Sequence, residues 1–309
     1  MKLISVMTPV FNEEGNIINL YNAVKAQFDK LPQYRYEHIF IDNYSTDGSR
    51  DILRELASKD ENVKVILNAR NFGPNRSGTY GMFQGRGDCL IAIVCDLQDP
   101  PEMIPEFLKK WEDGYKVVMG QKTQSKENPL MFQVRELYYN IMGKLSETEH
   151  LKGVTGYGLY DREVLDMIKW MDDPDPYIRG LITQLGYKYT TIEYSQNVRT
   201  YGKSSYNFNR YFDFAMTGLT HVSKKPLRIV TLFGMFMSVV SFILAVVYLV
   251  MKLIHWHDFG LGMAPILIGM FFLGSIQLLV TGVIGEYVGA ILTRVTKRPM
   301  VVEEERINF

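Results

Sequence analysis

The chain has 309 residues, of which 47% are hydrophobic and 22% charged, and its formal net charge is zero. The balanced charge excludes a protein that attracts nucleic acid through an overall positive field. The length accommodates one sizeable domain with an appendage. The charge is unevenly distributed, because residues 229–292 carry almost none of it.

Predicted strands and helices alternate through the first two thirds of the chain. Apolar runs at 3–10, 37–41, 63–67, 90–95 and 116–120 predict strands, and periodic segments at 17–28, 49–58, 75–85 and 103–112 predict helices. A helix at 130–146, a glycine-rich segment at 148–158, a helix at 161–170 and a strand at 187–194 follow. This alternation predicts an α/β domain over residues 1–206, with a mostly parallel sheet and helices on both faces.

Residues 207–228 form a segment with many aromatic and few charged side chains. As a helix it would have a broad aromatic face that suits a membrane interface. An ordinary core helix is the alternative. Because a long apolar segment follows directly, we interpret it as an amphipathic juxtamembrane segment.

Two long segments without charged residues follow, at 229–251 and 260–285. Each is long enough to cross a hydrocarbon core, which needs roughly 20 apolar residues. A pair of buried core helices is the alternative, although adjacent uncharged segments of this length are rare in soluble proteins. The sequence therefore predicts a two-helix transmembrane hairpin over 229–292 and a tail over 293–309. Basic residues flank both ends and predict that the ends are cytoplasmic: Lys224, Lys225, Arg228, Arg294, Lys297 and Arg298.

Three polar motifs follow predicted strands: TPVFNEE at 8–14, IDNYSTDG at 41–48 and DLQDPP at 96–101. In order and spacing they resemble family 2 glycosyltransferases with a GT-A fold. The likeness is strongest to polyprenyl-phosphate glycosyltransferases, the group of bactoprenol glucosyltransferases and dolichol-phosphate mannose synthases. Residues 199–206 and 225–228 agree with it, so that it covers essentially the whole chain. The resemblance implies a nucleotide diphosphate sugar and a membrane polyprenyl phosphate as substrates.

The resemblance also implies a divalent cation, Mg²⁺ or Mn²⁺, beside the donor diphosphate. Asp96 is the expected ligand and the side-chain oxygen of Gln98 a second, since hard cations prefer oxygen ligands. A turn or cap carboxylate is the alternative role of Asp96. We expect Asp99 to cap the helix that follows. The family usually has an Asp where this chain has Val94, so one carboxylate is missing from the expected metal site.

By the same resemblance, Pro9, Phe11, Glu13 and Asp42 should surround the nucleoside. Phe11 could stack on the base, and Asp42 could accept a hydrogen bond from base or ribose. A core position for Phe11 and a turn cap for Asp42 are the alternatives. Asn71 is a weaker candidate for this pocket. The family often has a second Asp where this chain has Asn43.

Cationic side chains should bind the acceptor phosphate, and alignment with the family offers four candidates. The family usually has an acid where this chain has Gly156. A phosphomonoester is already largely ionised at neutral pH, because its second pKa is about 6. Such an acceptor needs positioning and charge screening more than a strong base. The four candidates are Lys122, Arg135, Arg199 and Lys203.

The sequence thus predicts a multi-pass protein of the cell membrane with a cytoplasmic catalytic domain. It would transfer a hexose with inversion, from a donor of the UDP-glucose type to undecaprenyl or polyprenyl phosphate. Transfer to another lipid and a non-catalytic nucleotide-sugar binding module are the alternatives. Small residues in the second span suit helix packing in a homo-oligomer: Gly282, Gly285 and Gly289.

Overall fold

The computed structural model describes residues 1–124, 153–174, 176, 178–197, 225–254, 263–296 and 298–309. The strands are β1 (Lys2–Val10), β2 (Tyr34–Asp42), β3 (Val63–Asn68), β4 (Cys89–Ala92), β5 (Val117–Gln124), β6 (Val154–Asp161), β7 (Tyr189–Ser195) and β8 (Glu303–Ile307). The helices are α1 (Ile17–Phe28), α2 (Ser49–Lys59), α3 (Pro74–Met82), α4 (Ile104–Glu112), α5 (Arg162–Trp170), α6 (Ile178–Leu185), α7 (Lys225–Ile254) and α8 (Met263–Val295). The helix predicted at 130–146 and residues 207–224 of the juxtamembrane segment lie outside the described residues.

The described strands form one eight-stranded sheet in the order β7-β5-β6-β4-β1-β2-β3-β8. Strands β4, β1, β2 and β3 run parallel, and so do β5 and β7. Strand β6 is antiparallel to both of its neighbours, and β8 is antiparallel to β3. The prediction of a mixed, mostly parallel sheet is confirmed. The carboxyl ends of β1, β2 and β4 meet at one edge, where ligands of α/β sheets bind.

Helices cover both faces of the sheet, as predicted. Alternate residues of each central strand point to opposite faces, so that Phe40 and Ile41 enter two different apolar clusters. One cluster includes Leu20 of α1, Leu53 of α2 and Phe107 of α4. The other includes side chains of α3, α5 and α6.

The glycine-rich segment noted at 148–158, for which no strand was predicted, contributes to strand β6. Residues 154–161 are a strand between β4 and β5, and Gly158 pairs with Ala92 and Met119. A Cβ on Gly158 would lie 2.3 Å from the backbone oxygen of Val118. The glycine is therefore required by close backbone approach within the sheet.

Gly158→Ala is accordingly expected to destabilise the protein by about 3 kcal/mol or more, because the added methyl meets backbone that cannot give way. Thermal unfolding in detergent measures this loss. Gly78→Ala is the matched control, since a Cβ added there would meet nothing within 4 Å. Equal stabilities of the two variants would contradict the packing argument.

Two further elements differ from the predictions. Helix α6 was not expected, and β4 ends at Ala92 rather than at Cys95. The amide of Ile93 still donates to the oxygen of Met7 at 3.0 Å. The chain then turns away from the sheet, so Asp96 lies on a loop beyond the strand.

The C-terminal segment, expected as a tail, contains the edge strand β8. Its acidic side chains bind two arginines of α2: Arg50 Nη2 lies 2.8 Å from Glu304, and Arg54 Nη2 lies 2.8 Å from Glu305. Tyr80 of α3 donates to Glu303 at 2.8 Å. The chain that leaves α8 therefore returns to close the free edge of β3.

Helices α7 and α8 are long and apolar enough to cross a membrane by length and composition. Their most apolar stretches are Leu227–Leu244 and Phe272–Val295, with mean hydropathies of 2.1 and 1.6, and neither stretch has buried residues. The second stretch ends later than the predicted span at 260–285.

Candidate active site

The loops that follow β1 and β2 are joined by hydrogen bonds at the carboxyl edge of the sheet. The Asn12 amide donates to Ser45 Oγ at 2.8 Å, and the Thr46 amide donates to Asn12 Oδ1 at 2.8 Å. The Gly48 amide donates to Glu14 Oε2 at 2.7 Å. The motifs TPVFNEE and IDNYSTDG therefore form one rigid unit.

Asp42 ends β2 and organises the loop behind it. Its buried carboxylate accepts the amides of Tyr44 at 3.1 Å and Ser45 at 3.0 Å, and Arg50 Nε lies 3.5 Å away. Burial raises the pKa of Asp42, and the hydrogen bonds from Ser45 and the Arg50 charge oppose that rise. These are the contacts of a turn-capping carboxylate.

The other residues expected around the nucleoside lie on the same edge. Phe11 is 37% exposed, which places its ring at the surface of this edge. Glu13 accepts a hydrogen bond from Asn16 Nδ2 at 2.6 Å. Pro9 lines a cavity beside the loops.

Asn43, which replaces a usual acid, has its own structural task. Its Nδ2 donates to Asn71 Oδ1 at 3.0 Å, and its Oδ1 accepts the Phe72 amide at 2.9 Å. Asn68 Nδ2 also donates to Asn43 Oδ1, at 3.2 Å. A carboxylate could not donate to Asn71, so this network explains why an amide is accommodated at position 43.

The cavity has a volume of about 180 Å³ and opens between α3, β4 and β6. Pro9, Val94 and Gly156 all contribute to it, which brings together two of the three positions where the resemblance implies an acid. None of the described residues that line it is charged. Asp42 and Asp96 lie outside its lining.

Asp96 lies on the loop after β4, close to the segment that follows β7. Its Oδ1 accepts the Gln98 amide at 3.2 Å, and Leu97 has a left-handed backbone with φ of 57°. The backbone amide of Asn197 donates to the backbone oxygen of Gln98 at 3.0 Å. No sequence pattern indicates this contact, because Asn197 and Gln98 are far apart in the chain.

The side chains around Asp96 offer few ligands for a divalent cation. Within the described residues, no three Asp, Glu, His or Cys side chains are grouped as metal ligands would be. One carboxylate and one amide oxygen fit Mg²⁺, which is commonly held by one or two carboxylates together with substrate phosphates. Gln98 Oε1 also accepts a long hydrogen bond from Gln196, at 3.4 Å.

Asp99 does not cap a helix, which corrects the sequence prediction. Its side chain is buried, and Tyr194 donates to its Oδ1 at 2.5 Å. The short helix at Pro101–Met103 has no side-chain cap. Burial raises the pKa of Asp99 to about 6, the Asp96 charge raises it further, and the Tyr194 hydrogen bond opposes this.

This raised pKa predicts a pH dependence of stability. Folded Asp99 binds a proton below about pH 6, whereas an unfolded Asp does so only below 3.8. Stability should therefore rise as the pH falls from about 6 to about 4, by about 2–3 kcal/mol from this group. Asp99→Asn should be more stable than wild type at pH 7 and lack this rise. Thermal unfolding across pH 4–7.5 with a chelator measures it, and exposed Glu102→Gln is the control. Parallel curves for wild type and Asp99→Asn would contradict the prediction.

Of the four cations expected to bind the acceptor, the structure describes Lys122. It lies on β5 opposite Tyr194 of β7, and its charge lowers the pKa of Asp99. This places it on the side of the sheet edge that holds the Asp96 loop. Arg135, Arg199 and Lys203 lie outside the described residues.

Known proteins are similar to this chain along nearly its whole length. The family model described as glycosyl transferase family 2 matches residues 5–168. The glycosyltransferase YkcC of Bacillus subtilis (strain 168) is 34% identical, with 97% of this chain and 93% of that protein covered. A bactoprenol glucosyl transferase of Shigella phage SfX is 32% identical, with 98% and 99% covered.

The fold is also found among solved structures. Mannosyl-3-phosphoglycerate synthase from Rubrobacter xylanophilus superposes with a TM-score of 0.51 at 13% identity, covering 75% of each chain. The likeness concerns the fold alone.

Proposed function

The chain belongs to glycosyl transferase family 2, and from that premise we propose that it transfers a hexose from a nucleotide diphosphate sugar to undecaprenyl or another polyprenyl phosphate. The observation that carries this proposal is the extent of one similarity. Identity of 32% to a bactoprenol glucosyl transferase spans 98% of this chain, so it includes α7 and α8 as well as the sheet domain. The donor we propose is of the UDP-glucose type.

Helices α7 and α8 would cross the membrane as a hairpin and keep the sheet domain at its cytoplasmic face. Arg228 lies near the beginning of α7, Arg294 lies near the end of α8, and Arg298 follows α8. Basic residues on both flanks favour this orientation. Arg294 lies 3.6 Å from Asp173 beyond α5, which supports close apposition of the sheet domain and the bilayer. The acceptor phosphate would then reach the sheet edge from the lipid headgroup layer.

In the proposed reaction, an oxygen of the acceptor phosphate attacks the anomeric carbon of the sugar. The new bond forms opposite the bond to the diphosphate, so the anomeric configuration inverts. The electron pair of the broken bond leaves with the nucleoside diphosphate. The described residues that line the cavity include no carboxylate to act as a base, and an ionised phosphate acceptor needs none. Lys122, Arg135, Arg199 and Lys203 are the side chains proposed to bind the acceptor.

Asp96 and Gln98 would hold Mg²⁺ or Mn²⁺ together with the donor diphosphate. Bound there, the cation would neutralise the charge that the leaving diphosphate gains. The hydrogen bond from the Asn197 amide to the backbone oxygen of Gln98 keeps this loop in place. Pro9, Phe11, Glu13, Asp42 and Asn71 are proposed to form or support the nucleoside pocket.

A turnover assay with the full chain in lipid nanodiscs tests the proposal. We expect release of nucleoside diphosphate from one donor of a nucleotide-sugar panel, and only with both polyprenyl phosphate and Mg²⁺ or Mn²⁺. Transfer to a diacylglycerol in place of polyprenyl phosphate would favour another lipid acceptor. No turnover with any acceptor would contradict the proposal.

A non-catalytic nucleotide-sugar binding module is the second candidate. It is favoured by Val94, Asn43 and Gly156, which carry no carboxylate at positions where the resemblance implies one. Calorimetric binding of a nucleotide sugar without transfer to any acceptor would select this candidate.

A further inference from the structure

Tyr44 has an unusual backbone conformation at the proposed donor site. Its φ is 70°, a left-handed conformation that side chains with a Cβ disfavour and that bulky residues rarely adopt. Its side chain is nevertheless 43% exposed, so apolar burial does not account for the conformation. An observed outlier of this kind, at a sheet edge where ligands bind, points to a functional constraint.

Specific contacts hold Tyr44 in this conformation. Its amide donates to Asp42 Oδ2 at 3.1 Å. Its ring centroid lies 5.8 Å from Arg50 Cζ, within the range of a cation–π contact. Arg50 in turn lies 2.8 Å from Glu304 of the C-terminal strand β8. The buried Asp42 carboxylate thus holds the backbone of Tyr44. Arg50, which Glu304 of β8 holds in place, lies beside the exposed Tyr44 ring.

A second exposed ring lies on the adjoining loop. Phe11 immediately precedes Asn12, and Tyr44 immediately precedes Ser45. Asn12 and Ser45 are hydrogen-bonded at 2.8 Å, so the two rings flank the same junction. Exposed aromatic rings held on rigid loops are suitable surfaces for stacking a base.

We propose that Tyr44 is a donor-binding residue whose ring stacks on the nucleobase beside Phe11, and that Arg50 and Glu304 position it. This inference rests on the proposed function, which supplies the nucleotide. It adds a role for β8, because Glu304 then connects the C-terminal strand to donor recognition. The ligand class is a nucleoside diphosphate.

Tyr44→Asn tests the proposal, since Asn tolerates the left-handed conformation and has no ring. We expect the dissociation constant of UDP or GDP, whichever wild type binds, to rise about tenfold in calorimetry with Mg²⁺ present. The melting temperature should stay level or rise, because backbone strain is relieved. The conservative variant Tyr44→Phe, which keeps the ring, should bind the nucleotide as tightly as wild type does. A purely structural role would instead lower the melting temperature together with the affinity.

A pair of variants on β8 tests the positioning. Glu304→Ala should weaken nucleotide binding about threefold, whereas Glu305→Ala should not. The two are matched, because each carboxylate lies 2.8 Å from an Arg on α2, and only Arg50 reaches Tyr44. Equal affinities of the two variants would overturn the positioning role of Glu304.

Two failures can be told apart. If wild type transfers sugar and Tyr44→Asn binds nucleotide as wild type does, the inference on Tyr44 is overturned and the proposed function stands. If wild type binds nucleotide but transfers no sugar, the proposed function fails, and the affinity of Tyr44→Asn still decides the inference. If wild type binds neither UDP nor GDP, both are overturned.

Discussion

Replacing Asp96 by asparagine is expected to lower the rate of sugar transfer by on the order of a thousandfold, or about 4 kcal/mol of barrier. The asparagine side chain keeps an oxygen that can accept the hydrogen bond from the backbone amide of Gln98, so the loop should retain its shape. What is lost is the negative charge proposed to hold a divalent cation against the donor diphosphate. Initial rates at saturating donor and Mg²⁺ measure the effect.

Glu102→Gln is the matched control for Asp96→Asn. It removes an exposed carboxylate from the beginning of the next helix and should leave the rate within about twofold of wild type. Neither variant should melt at a lower temperature than wild type. Full activity of Asp96→Asn would remove the proposed metal site.

The choice of acceptor is expected to have an effect of similar size. Transfer to polyprenyl phosphate should exceed transfer to the corresponding polyprenol by at least about a thousandfold. A neutral hydroxyl would need a general base, which contributes about 10²–10⁴ to a rate. The described lining of the cavity has no charged side chain to act as one.

The pH dependence follows from the same chemistry. The rate at low acceptor concentration should rise through about pH 6, the second pKa of a phosphomonoester, and then stay level toward pH 8. Initial rates with polyprenyl phosphate and with the polyprenol over this pH range measure the effect. Comparable rates with the polyprenol would show that a base acts on the acceptor.

The central sheet could be predicted from sequence because its signals are local. Strands β1, β2 and β3 are apolar runs bounded by turn residues, and α1 and α2 have regular apolar spacing. Strand β6 has the opposite pattern, since glycines usually interrupt strands. Gly158 is needed there because a neighbouring strand passes too close for a Cβ.

Strand β8 could not be predicted for a different reason. Glu303, Glu304, Glu305 and Arg306 are polar and suggest a solvated tail. They form an edge strand because Arg50, Arg54 and Tyr80, far away in the chain, provide partners. No local pattern indicates which of many basic residues will lie opposite such a segment.

In the candidate site, too, features with a local sequence signal could be predicted, whereas contacts between distant residues could not. The sequence motifs are sufficient to predict that Phe11, Asp42 and Asp96 lie at the carboxyl edge of the sheet. They do not reveal that Tyr194 donates to Asp99, because the two residues are 95 positions apart. They also do not indicate the left-handed backbone of Tyr44, whose amide donates to Asp42.

Oxygen labelling of the acceptor tests the central claim most directly. Full-length protein in nanodiscs would receive a nucleotide sugar and polyprenyl phosphate whose terminal phosphate oxygens are ¹⁸O. The proposed mechanism predicts a hexosyl-phosphoryl-polyprenol with ¹⁸O between phosphorus and the anomeric carbon, identified by mass spectrometry of the lipid and of its fragments. Free hexose carrying solvent oxygen, with no labelled lipid product, would contradict it.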